Sequence, residues 1–482
     1  MGETGDLDPS DWEAFRCAAN AMLDAAIEAY QTAGDGRVWT PLPDQLKSDL
    51  ETPLPTAPSN VETVSRQLQA MMPYGVGNTH PRFFGWVHGS GTPGNLLAEI
   101  AASAINANCG GRDHVGIYVE RQVIEWCKSL FAFPATSSGL VVSGTSMATI
   151  IAVKTARDAA SRFATRTHGV GDARLVGYTS EQAHACLARA FDMVGLGTEA
   201  LRKIPTAADF RIDLDRLNAQ IQSDRDAGFQ PFFVAGTAGT VNTGAIDDLQ
   251  ALAALAREQE LWFHVDGAFG ACGMTSPHVA PRLKGIEQAD SLAFDFHKWM
   301  HVNYDAGCVL IRDETLHRQA FATRPDYLAA DGKALAGGEP WPVDYGPELS
   351  RGFRALKVWA HVLEHGTDKI GHAITRNCQQ AAYLAKRVDQ HSQFEALAPV
   401  TLNICCFRYS LAGKTEAQLD AFNTALVARV QTDGLAAPST TRIDGKLAIR
   451  VNITNHRTQM RDVDILLEAL KASAQKLLAE DV

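Results

Sequence analysis

Two short apolar runs between residues 261 and 300 each end in charged side chains, and they constrain the fold more than any other feature. The run LWFHV leads into Asp266, and the run SLAFDF leads into His297 and Lys298. Each run has the length and apolar character of a strand buried on both faces, which is typical of parallel sheets covered by helices. The carboxyl ends of such strands open onto the ligand crevice. The sequence therefore predicts an α/β fold with Asp266 and Lys298 at one rim of the sheet.

A carboxylate and an amine at one rim match the chemical needs of pyridoxal phosphate. The amine of Lys298 can hold the aldehyde of that cofactor as a Schiff base, and the carboxylate of Asp266 can keep the pyridine nitrogen protonated. Asp266 could instead cap a helix or bind a metal, and Lys298 could be a surface lysine. The neighbours Phe296 and Trp299 argue against a solvated charge at Lys298. No second carboxylate follows Asp266 closely enough to complete a metal site, so we predict no metal.

The segment SGTSMAT at residues 143–149 ends a predicted strand and opens an amphipathic helix. The hydroxyls of Thr145 and Ser146 and the free N–H groups of the first helical turn would face an anion there, as in a phosphate-binding turn. The glycine patterns of dinucleotide sites and P-loops are absent. A Ser/Thr helix cap is the commoner use of such residues, so the turn alone leaves both interpretations open.

Two further polar residues follow strands at the same predicted rim. His184 lies in the first turn after the strand RLVGYTS and off the apolar stripe of its helix, so its imidazole could stack on a planar ring. Thr237 ends the strand PFFVAGT, and its hydroxyl could bond a phenolic oxygen of a cofactor. Taken singly, a solvent-facing histidine and a turn threonine are the simpler explanations. In chain order with the phosphate turn, Asp266 and Lys298, they indicate one cofactor site.

Helices and short apolar strands alternate from about residue 119, which predicts a mostly parallel sheet with helices on both faces. Residues 11–31 have apolar side chains at helical spacing, and a proline-rich stretch follows at 39–58. Such an arm buries little surface on itself and would more readily lie across a second copy of the chain, although a plain extension is the alternative. Residues 313–350 are a candidate lid. We predict an N-terminal arm at 1–85, a large domain at 86–368 and a small α+β domain at 369–482.

Composition limits the classes of function. The 482 residues include 44 Lys and Arg against 55 Asp and Glu, and the net charge of −11 argues against nucleic acid or an anionic membrane as a partner. The acidic start lacks the regions of a signal peptide, and no apolar run reaches the roughly 18–20 residues of a membrane helix. Nine scattered cysteines without CxxC spacing are typical of buried thiols. We therefore expect a cytoplasmic protein.

The motifs HPRFFGW, SGTSMAT, QAH, HVDGAFG, FHKW and FRALKVW stand in the order found in group II pyridoxal-phosphate-dependent amino-acid decarboxylases. From about residue 40 to the C-terminus the chain resembles that family, and within it the aromatic-L-amino-acid decarboxylases. The resemblance implies fold type I, with a mostly parallel seven-stranded sheet, helices on both faces and a small C-terminal α+β domain. It implies pyridoxal 5'-phosphate (PLP) as the cofactor and an amino acid as the substrate. We expect a homodimer with its active site at the subunit interface.

The resemblance also implies a role for each matching residue. Lys298 would hold the cofactor aldehyde, and Asp266 would pair with the pyridine nitrogen. His184 and Ala268 would lie against the two faces of the ring. Thr237 would approach the 3-oxygen of the ring or the substrate carboxylate. The phosphate would be held by the remaining three residues, Thr145, Ser146 and His297.

Two positions bear on the product and on the phosphate. Tyr327 matches the loop tyrosine that protonates the substrate carbon after carbon dioxide leaves, and because a phenylalanine there would resemble aldehyde-forming relatives, Tyr327 favours an amine product. Asp295 departs from the family, since many relatives have asparagine three residues before the lysine. A carboxylate facing the phosphate would be repelled, so we expect Asp295 to turn away or to bond backbone.

The substrate is less constrained. Phe84, Trp86 and Val87 predict a pocket for an aromatic or bulky side chain, although packing would explain them equally well. Ser350 stands where some plant relatives choose between phenolic and indolic substrates, and it resembles the phenolic choice. We expect decarboxylation of an aromatic L-amino acid to its amine and carbon dioxide. The alternatives are a glutamate, sulfinate or diaminobutyrate decarboxylase, another PLP lyase or aminotransferase, and a non-catalytic or nucleotide-binding α/β protein.

Overall fold

A computed structural model describes residues 7–323 and 334–480. The chain divides into two compact units. One unit takes the N-terminal part as far as Phe83, together with Ala425–Ala437 and the C-terminal part from Arg457. The other unit is made of Phe84–Thr424 and Pro438–His456. The three-part division expected from the sequence stays a prediction.

The bounds of the regular elements follow in chain order. The α-helices within the described ranges are α1 (Trp12–Gln31), α2 (Asp44–Asp49), α3 (Val61–Met71), α4 (Gly94–Ile105), α5 (Val115–Leu130), α6 (Thr145–Ala160), α7 (Thr165–His168), α8 (Cys186–Met193), α9 (Leu214–Asp226), α10 (Leu249–Glu258), α11 (Glu314–Phe321), α12 (Arg354–Asp389), α13 (Glu416–Thr432) and α14 (Met460–Glu480). The strands are β1 (Phe83–Phe84), β2 (Ser138–Val142), β3 (Leu175–Ser180), β4 (Leu201–Ile204), β5 (Gln230–Thr237), β6 (Trp262–Asp266), β7 (Ser291–Asp295), β8 (Gly307–Ile311), β9 (Phe394–Ala396), β10 (Ile404–Tyr409), β11 (Ala437–Ile443) and β12 (Lys446–Asn452).

The larger sheet has seven strands in the order β2-β8-β7-β6-β5-β3-β4. Strand β8 is antiparallel to both of its neighbours, and the other pairs of neighbouring strands are parallel. The connection from β7 to β8, residues 296–306, holds no helix and is shorter than the crossover that a parallel neighbour would need. The expectation of a mostly parallel seven-stranded sheet is confirmed.

Helices cover both faces of this sheet because successive residues of its strands point to opposite sides. On one face, fully buried residues of α6 pack against alternate residues of β2, β7 and β8. On the other face, α5 and α10 contribute to the largest apolar core, which includes the intervening residues of the same strands. Each fully buried Ile or Leu side chain contributes about 1.5–3 kcal/mol relative to an exposed one. The residues on the α6 side include Leu140, Val142, Ala148, Ile151, Ala293 and Val309.

Beyond the large sheet, the structure agrees with the sequence prediction for α12, β10 and β12 but not for β9 and β11. The helical range α12 is broken at Gly366, where a φ of 64° and a ψ of 160° suit glycine, in agreement with two predicted helices around 353–366 and from 370. The smaller sheet includes the antiparallel order β11-β12-β10-β9. The apolar runs TLNICCFRYS and KLAIRVNI predict β10 and β12, but no such run indicates β9, which is very short, or β11, which contains the polar run PSTTR.

Helix α1 is the first helix of the unit that contains the N-terminal part. The side chain of Asp11 caps this helix and accepts a hydrogen bond from the N–H of Glu13 at 2.9 Å. The helix predicted at 11–31 is confirmed, and α1 packs against α3. The proline-rich stretch 39–58 contains the short helix α2, which the sequence did not predict. It begins after Pro43, and proline suits the start of a helix because no N–H is needed there.

A buried ion pair holds the end of β2, from which the predicted phosphate turn leaves the sheet. The Glu120 carboxylate accepts hydrogen bonds from Arg351 Nη2 at 2.7 Å and Nη1 at 2.9 Å, and also from the N–H of Val141 at 2.9 Å. Arg351 donates in turn to the carbonyl oxygens of Val141 and Cys109. The side chains of Arg351 and Glu120 are 2% and 6% exposed. The pair therefore fixes β2 without help from solvent.

We expect Glu120→Ala to lower the free energy of unfolding by about 3–5 kcal/mol, because it leaves the guanidinium of Arg351 buried without its counter-charge. The measurement is urea denaturation followed by circular dichroism. Asp209→Ala is the control, since Asp209 and Arg211 form a pair whose side chains are 45% and 49% exposed, and its loss should cost only about 0–1 kcal/mol. Equal losses in the two variants would contradict a structural role for the buried pair.

Candidate active site

The carboxyl ends of β5, β6 and β7 bring the predicted site residues to one edge of the sheet. In the parallel register Thr237 lies opposite Asp266, and Asp266 lies opposite Ala293. Lys298 follows three residues after Asp295, the last residue of β7. The structure therefore places Asp266 and Lys298 at the same rim, as the two apolar runs predicted, and Thr237 beside them, as the strand PFFVAGT predicted.

Asp266 is held by contacts that fix the plane of its carboxylate. It is 2% exposed, and its Oδ1 accepts a hydrogen bond from the N–H of Ala268 at 3.1 Å. The thiol of Cys186 donates to Oδ2 at 3.7 Å. Burial, and then the charge of Asp266, raises the pKa of Cys186, so this thiol keeps its proton and can remain a donor.

Sequence reasoning missed Cys186. The available signal was its place two residues after His184, at the start of α8, where a side chain of the first turn faces the rim. His184 itself is exposed, and its Nδ1 accepts a hydrogen bond from the N–H of Cys186 at 3.2 Å. In the neutral ring Nε2 therefore carries the proton. Ala268 is half-buried beside Asp266, and its carbonyl oxygen accepts from the N–H of Asp295 at 3.0 Å.

Lys298 forms an ion pair that the sequence did not predict. Its Nζ lies 2.9 Å from Oδ2 of Asp295, whose side chain is 2% exposed. Burial by itself would lower the pKa of the Lys298 amine, but the charge and hydrogen bond of Asp295, together with the charge of Asp266, outweigh it and the pKa is raised. In the absence of a ligand, the amine is therefore an ammonium at neutral pH.

The predicted phosphate turn has the expected form. Helix α6 begins at Thr145, directly after β2 and Gly144, and the N–H of Thr145 donates to Oδ1 of Asp295 at 2.6 Å. Ser146 is exposed on the first turn. His297 is buried, and its Nδ1 accepts from the N–H of Ala306 at 3.0 Å, which leaves the proton on Nε2 of the neutral ring. Burial lowers the pKa of His297 despite the nearby charge of Asp295, so the ring is neutral at pH 7.

Two buried hydroxyls at the rim have no hydrogen-bond partner. They are Oγ1 of Thr145 and Oγ1 of Thr237, on residues that are 5% and 3% exposed. Buried hydroxyls in folded proteins are nearly always paired, so an unpaired one indicates a missing partner. A phosphate at Thr145 and an oxygen of a planar ring or of a substrate near Thr237 would supply such partners. The residues present therefore fit PLP. Within the described parts of the chain, no group of three or more His, Cys, Asp or Glu side chains could hold a metal ion.

The residues predicted to form the substrate pocket fall into different environments. Phe84 is fully buried and Val87 belongs to the apolar core, whereas Trp86 is 53% exposed and Ser350 is exposed. The carbonyl oxygen of Trp86 accepts hydrogen bonds from Arg450 Nη1 at 2.9 Å and from Asn452 Nδ2 at 2.6 Å, on β12. Their roles in substrate binding stay predictions, as does that of Tyr327, which lies outside the described residues.

Two further rings stand near the amine of Lys298. The ring of Tyr304 lies 4.3 Å from that of His297 and 6.0 Å from that of His88. Burial, and then the positive charge of Lys298, lowers the pKa of His88. Burial raises the pKa of Tyr304, although the charge of Lys298 opposes it. Tyr304 could not be selected from the sequence, because an isolated tyrosine in VNYD has no distinctive spacing.

Known proteins resemble the chain over nearly its whole length. The family model "Pyridoxal-dependent decarboxylase conserved domain" matches residues 43–410. An aromatic-L-amino-acid decarboxylase of Bacillus atrophaeus is 34% identical over 411 residues, which are 83% of this chain and 82% of that protein. Tryptophan decarboxylase 2 of Oryza sativa subsp. japonica is 25% identical over 494 residues, with 99% and 97% covered. The solved structure of Oryza sativa TDC with PLP and tryptamine is 25% identical, covers 98% of this chain and 100% of its own, and has a TM-score of 0.89.

The matched range includes the phosphate turn and the rim that carries Asp266 and Lys298. The fold type I architecture and the PLP cofactor expected from the sequence are confirmed. Within the described ranges, no helix combines the length and the apolar character needed to cross a membrane. The chain belongs to the pyridoxal-dependent decarboxylase family, and it is a PLP-dependent amino-acid decarboxylase.

Proposed function

We propose that the chain converts an aromatic L-amino acid to its amine and carbon dioxide at the rim formed by β5, β6 and β7. The observation that carries the proposal is the arrangement of Asp266 and Lys298 on neighbouring strands beside the unpaired hydroxyls of Thr145 and Thr237. An acid, an amine and two unsatisfied hydroxyls, brought together at the carboxyl ends of β5, β6 and β7 and at the start of α6, suit a planar cofactor with a phosphate. The aromatic class is supported by the relatives, whose names specify aromatic amino acids or tryptophan.

Bound PLP supplies an electron sink for the bond between the substrate carbon and its carboxylate. Each residue of the rim has a separate role in binding this cofactor. Asp266 would place its carboxylate against the ring nitrogen, and Cys186 and the N–H of Ala268 keep that carboxylate in one plane. The interaction is strong because the carboxylate is buried, whereas an exposed pair contributes only about 0–1 kcal/mol. Lys298 provides the amine that attaches the cofactor.

The remaining residues orient the cofactor and the substrate. The hydroxyls of Thr145 and Ser146 would bind the phosphate at the start of α6, where the helix dipole favours negative charge, whereas the N–H of Thr145 already donates to Asp295. His184 and Ala268 would lie against the two faces of the ring. The proton on His297 Nε2 is available to a phosphate oxygen, since Nδ1 is already occupied by the N–H of Ala306.

The substrate wall and the protonation step rest on fewer observations. Trp86 presents its exposed ring on a backbone fixed by Arg450 and Asn452, which suits it to contact an aromatic side chain. Phe84, Val87 and Ser350 complete the proposed wall. Tyr327 returns a proton to the substrate carbon after carbon dioxide leaves, an assignment that rests on the family resemblance alone.

We also propose that two copies of the chain form a homodimer with the active site at their interface. Helix α4 carries apolar side chains that face solvent, with Leu97 68% and Ile100 51% exposed, and Val115 and Tyr118 on α5 are 52% and 50% exposed. These exposed apolar side chains support the proposal that a second copy of the chain covers α4 and the start of α5. The cytoplasmic location expected from the sequence also remains a proposal. It is supported by the nine cysteines, all described, which form no disulfide.

The substrate class is tested by incubating the PLP-loaded protein with a panel of amino acids and measuring carbon dioxide and amine. We expect aromatic L-amino acids to be turned over and to give amine rather than aldehyde, with glutamate, cysteine sulfinate and diaminobutyrate far slower. Lys298→Ala is the control. It should lose nearly all turnover, and borohydride should no longer attach PLP, with its absorbance, to the chain. Turnover confined to an acidic or aliphatic substrate would refute the aromatic assignment.

The two unpaired hydroxyls give a test of cofactor placement. Thr145→Val and Thr237→Val should leave the cofactor-free chain as stable as before, or more stable by up to about 1–3 kcal/mol, because each removes an unsatisfied buried group. Thr145→Val should weaken PLP binding by about tenfold or more, since it removes a hydrogen bond to a charged phosphate. Thermal unfolding with and without PLP, and PLP titration, measure these effects.

The matched control for the hydroxyls is Thr149→Val. Thr149 is also buried, but its hydroxyl already donates to the carbonyl oxygen of Thr145 at 2.7 Å. This substitution should lower the stability of the cofactor-free chain. If Thr145→Val behaved like Thr149→Val and left PLP affinity unchanged, Thr145 would not be a phosphate ligand.

The dimer is tested by Leu97→Glu, which places a charge on the exposed apolar surface of α4. We expect light scattering after gel filtration to give twice the chain mass for the unchanged protein and a larger monomer fraction for the variant. Met193→Glu is the control, because Met193 is 63% exposed on α8, away from α4 and α5 in sequence. A monomeric unchanged protein would contradict the proposal.

A further inference from the structure

Asp295 ends β7 three residues before Lys298, and the contacts of its carboxylate are specific. Oδ1 accepts the N–H of Thr145 at 2.6 Å, and Oδ2 lies 2.9 Å from Nζ of Lys298. The contact with Thr145 agrees with the expectation that Asp295 bonds backbone. The ion pair gives Asp295 a second role, because Lys298 carries the amine that would attach the cofactor.

The carboxylate of Asp295 has little freedom to leave these contacts. Asp295 lies opposite Gly307 in the register of β7 and β8, and a Cβ on Gly307 would come within 2.6 Å of Oδ1. A Cβ on Gly144 would lie 3.5 Å from the same oxygen. The two glycines therefore form a close cradle around a side chain that is 2% exposed. Its position is fixed by the fold before any ligand binds.

The other groups around the amine of Lys298 do not replace this partner. Asp266 contributes a second negative charge that raises the pKa of Lys298, whereas Asp295 contributes both a charge and a hydrogen bond to Nζ. The surrounding titratable side chains are neutral at pH 7, because burial lowers the pKa of His88 and His297 and raises the pKa of Tyr304, Cys186 and Cys272. Asp295 is therefore the partner whose removal should most change the state of the amine.

We propose that Asp295 is a positioning residue that holds Lys298 as an ammonium in the cofactor-free chain, so that capture of PLP first requires a proton to leave Nζ. This inference rests on the proposed role of Lys298. The ammonium has no lone pair and cannot react. After it loses one proton, to Asp295 Oδ2 or to solvent, the nitrogen forms a C=N bond with the aldehyde carbon, and the aldehyde oxygen leaves as water with the two remaining protons of Nζ.

The sign of the pH effect follows from the ion pair. A neighbouring carboxylate favours the charged form of an amine, so Lys298 keeps its proton to higher pH than it would beside a neutral group. In Asp295→Asn, the amide can still accept the N–H of Thr145, but it no longer offers Lys298 a negative charge. The reactive amine should therefore be present at lower pH in this variant.

The experiment is performed on cofactor-free protein with formaldehyde and cyanoborohydride, and methylation of Lys298 is followed by peptide mass spectrometry from pH 6 to 10. We expect Asp295→Asn to methylate at Lys298 about tenfold faster at neutral pH, the size expected for loss of a hydrogen bond to a charged group. PLP capture, followed by absorbance without substrate, should accelerate at neutral pH in parallel. Asp290→Asn is the control at the other end of β7, and it should leave both rates unchanged.

Equal methylation of Lys298 in Asp295→Asn and the unchanged protein at every pH would overturn the proposal. A second measurement needs no variant: in the unchanged protein, Lys298 should react with a pH midpoint above that of the exposed Lys414 in the same digest, and a lower midpoint would also overturn it. Methylation does not depend on decarboxylation. If Lys298 responded as expected while the protein failed to capture PLP, the proposed function would fail and the pairing with Asp295 would stand.

Discussion

The parallel register of β5, β6 and β7 is the constraint on which the site depends. Neighbouring parallel strands end at the same edge of the sheet, so the backbone register alone brings Thr237 and Asp266 to the same crevice. The antiparallel β8 then returns the chain after Lys298 and brings Gly307 against Asp295. One backbone arrangement thus fixes the acid, the amine and the carboxylate that pairs with it.

The sequence was sufficient for the parts of the fold that periodicity and apolar runs define. The strands ending at Asp266 and Asp295, and the helix beginning at Thr145, were predicted because burial on both faces leaves a continuous apolar run followed by polar residues. The short strand β9 and the polar strand β11 were missed because neither has such a pattern. Tertiary pairing, rather than local composition, makes them strands.

The contacts missing from the sequence prediction are those between residues far apart in the chain. Cys186 donates to Asp266 across 80 positions, and the N–H of Thr145 donates to Asp295 across 150. Neither residue type indicates its partner: a cysteine in an apolar stripe predicts burial alone, and an aspartate at the end of a strand can cap, pair or bind. Only the register of the strands determines which of these each residue does.

Buried polar groups serve two different ends in this fold, one structural and one in ligand binding. The Glu120 and Arg351 pair is enclosed by backbone acceptors and donors, as expected of buried charges that hold a structure together. The hydroxyls of Thr145 and Thr237 are buried and unpaired at the rim, which costs stability unless a ligand restores the hydrogen bonds. Asp295 stands between the two cases. Its carboxylate has hydrogen-bond partners without a ligand, namely the amine of Lys298 and the N–H of Thr145. The cofactor would use the same two groups. The pairing of Asp295 with Lys298 therefore competes with cofactor capture while it keeps the amine in place.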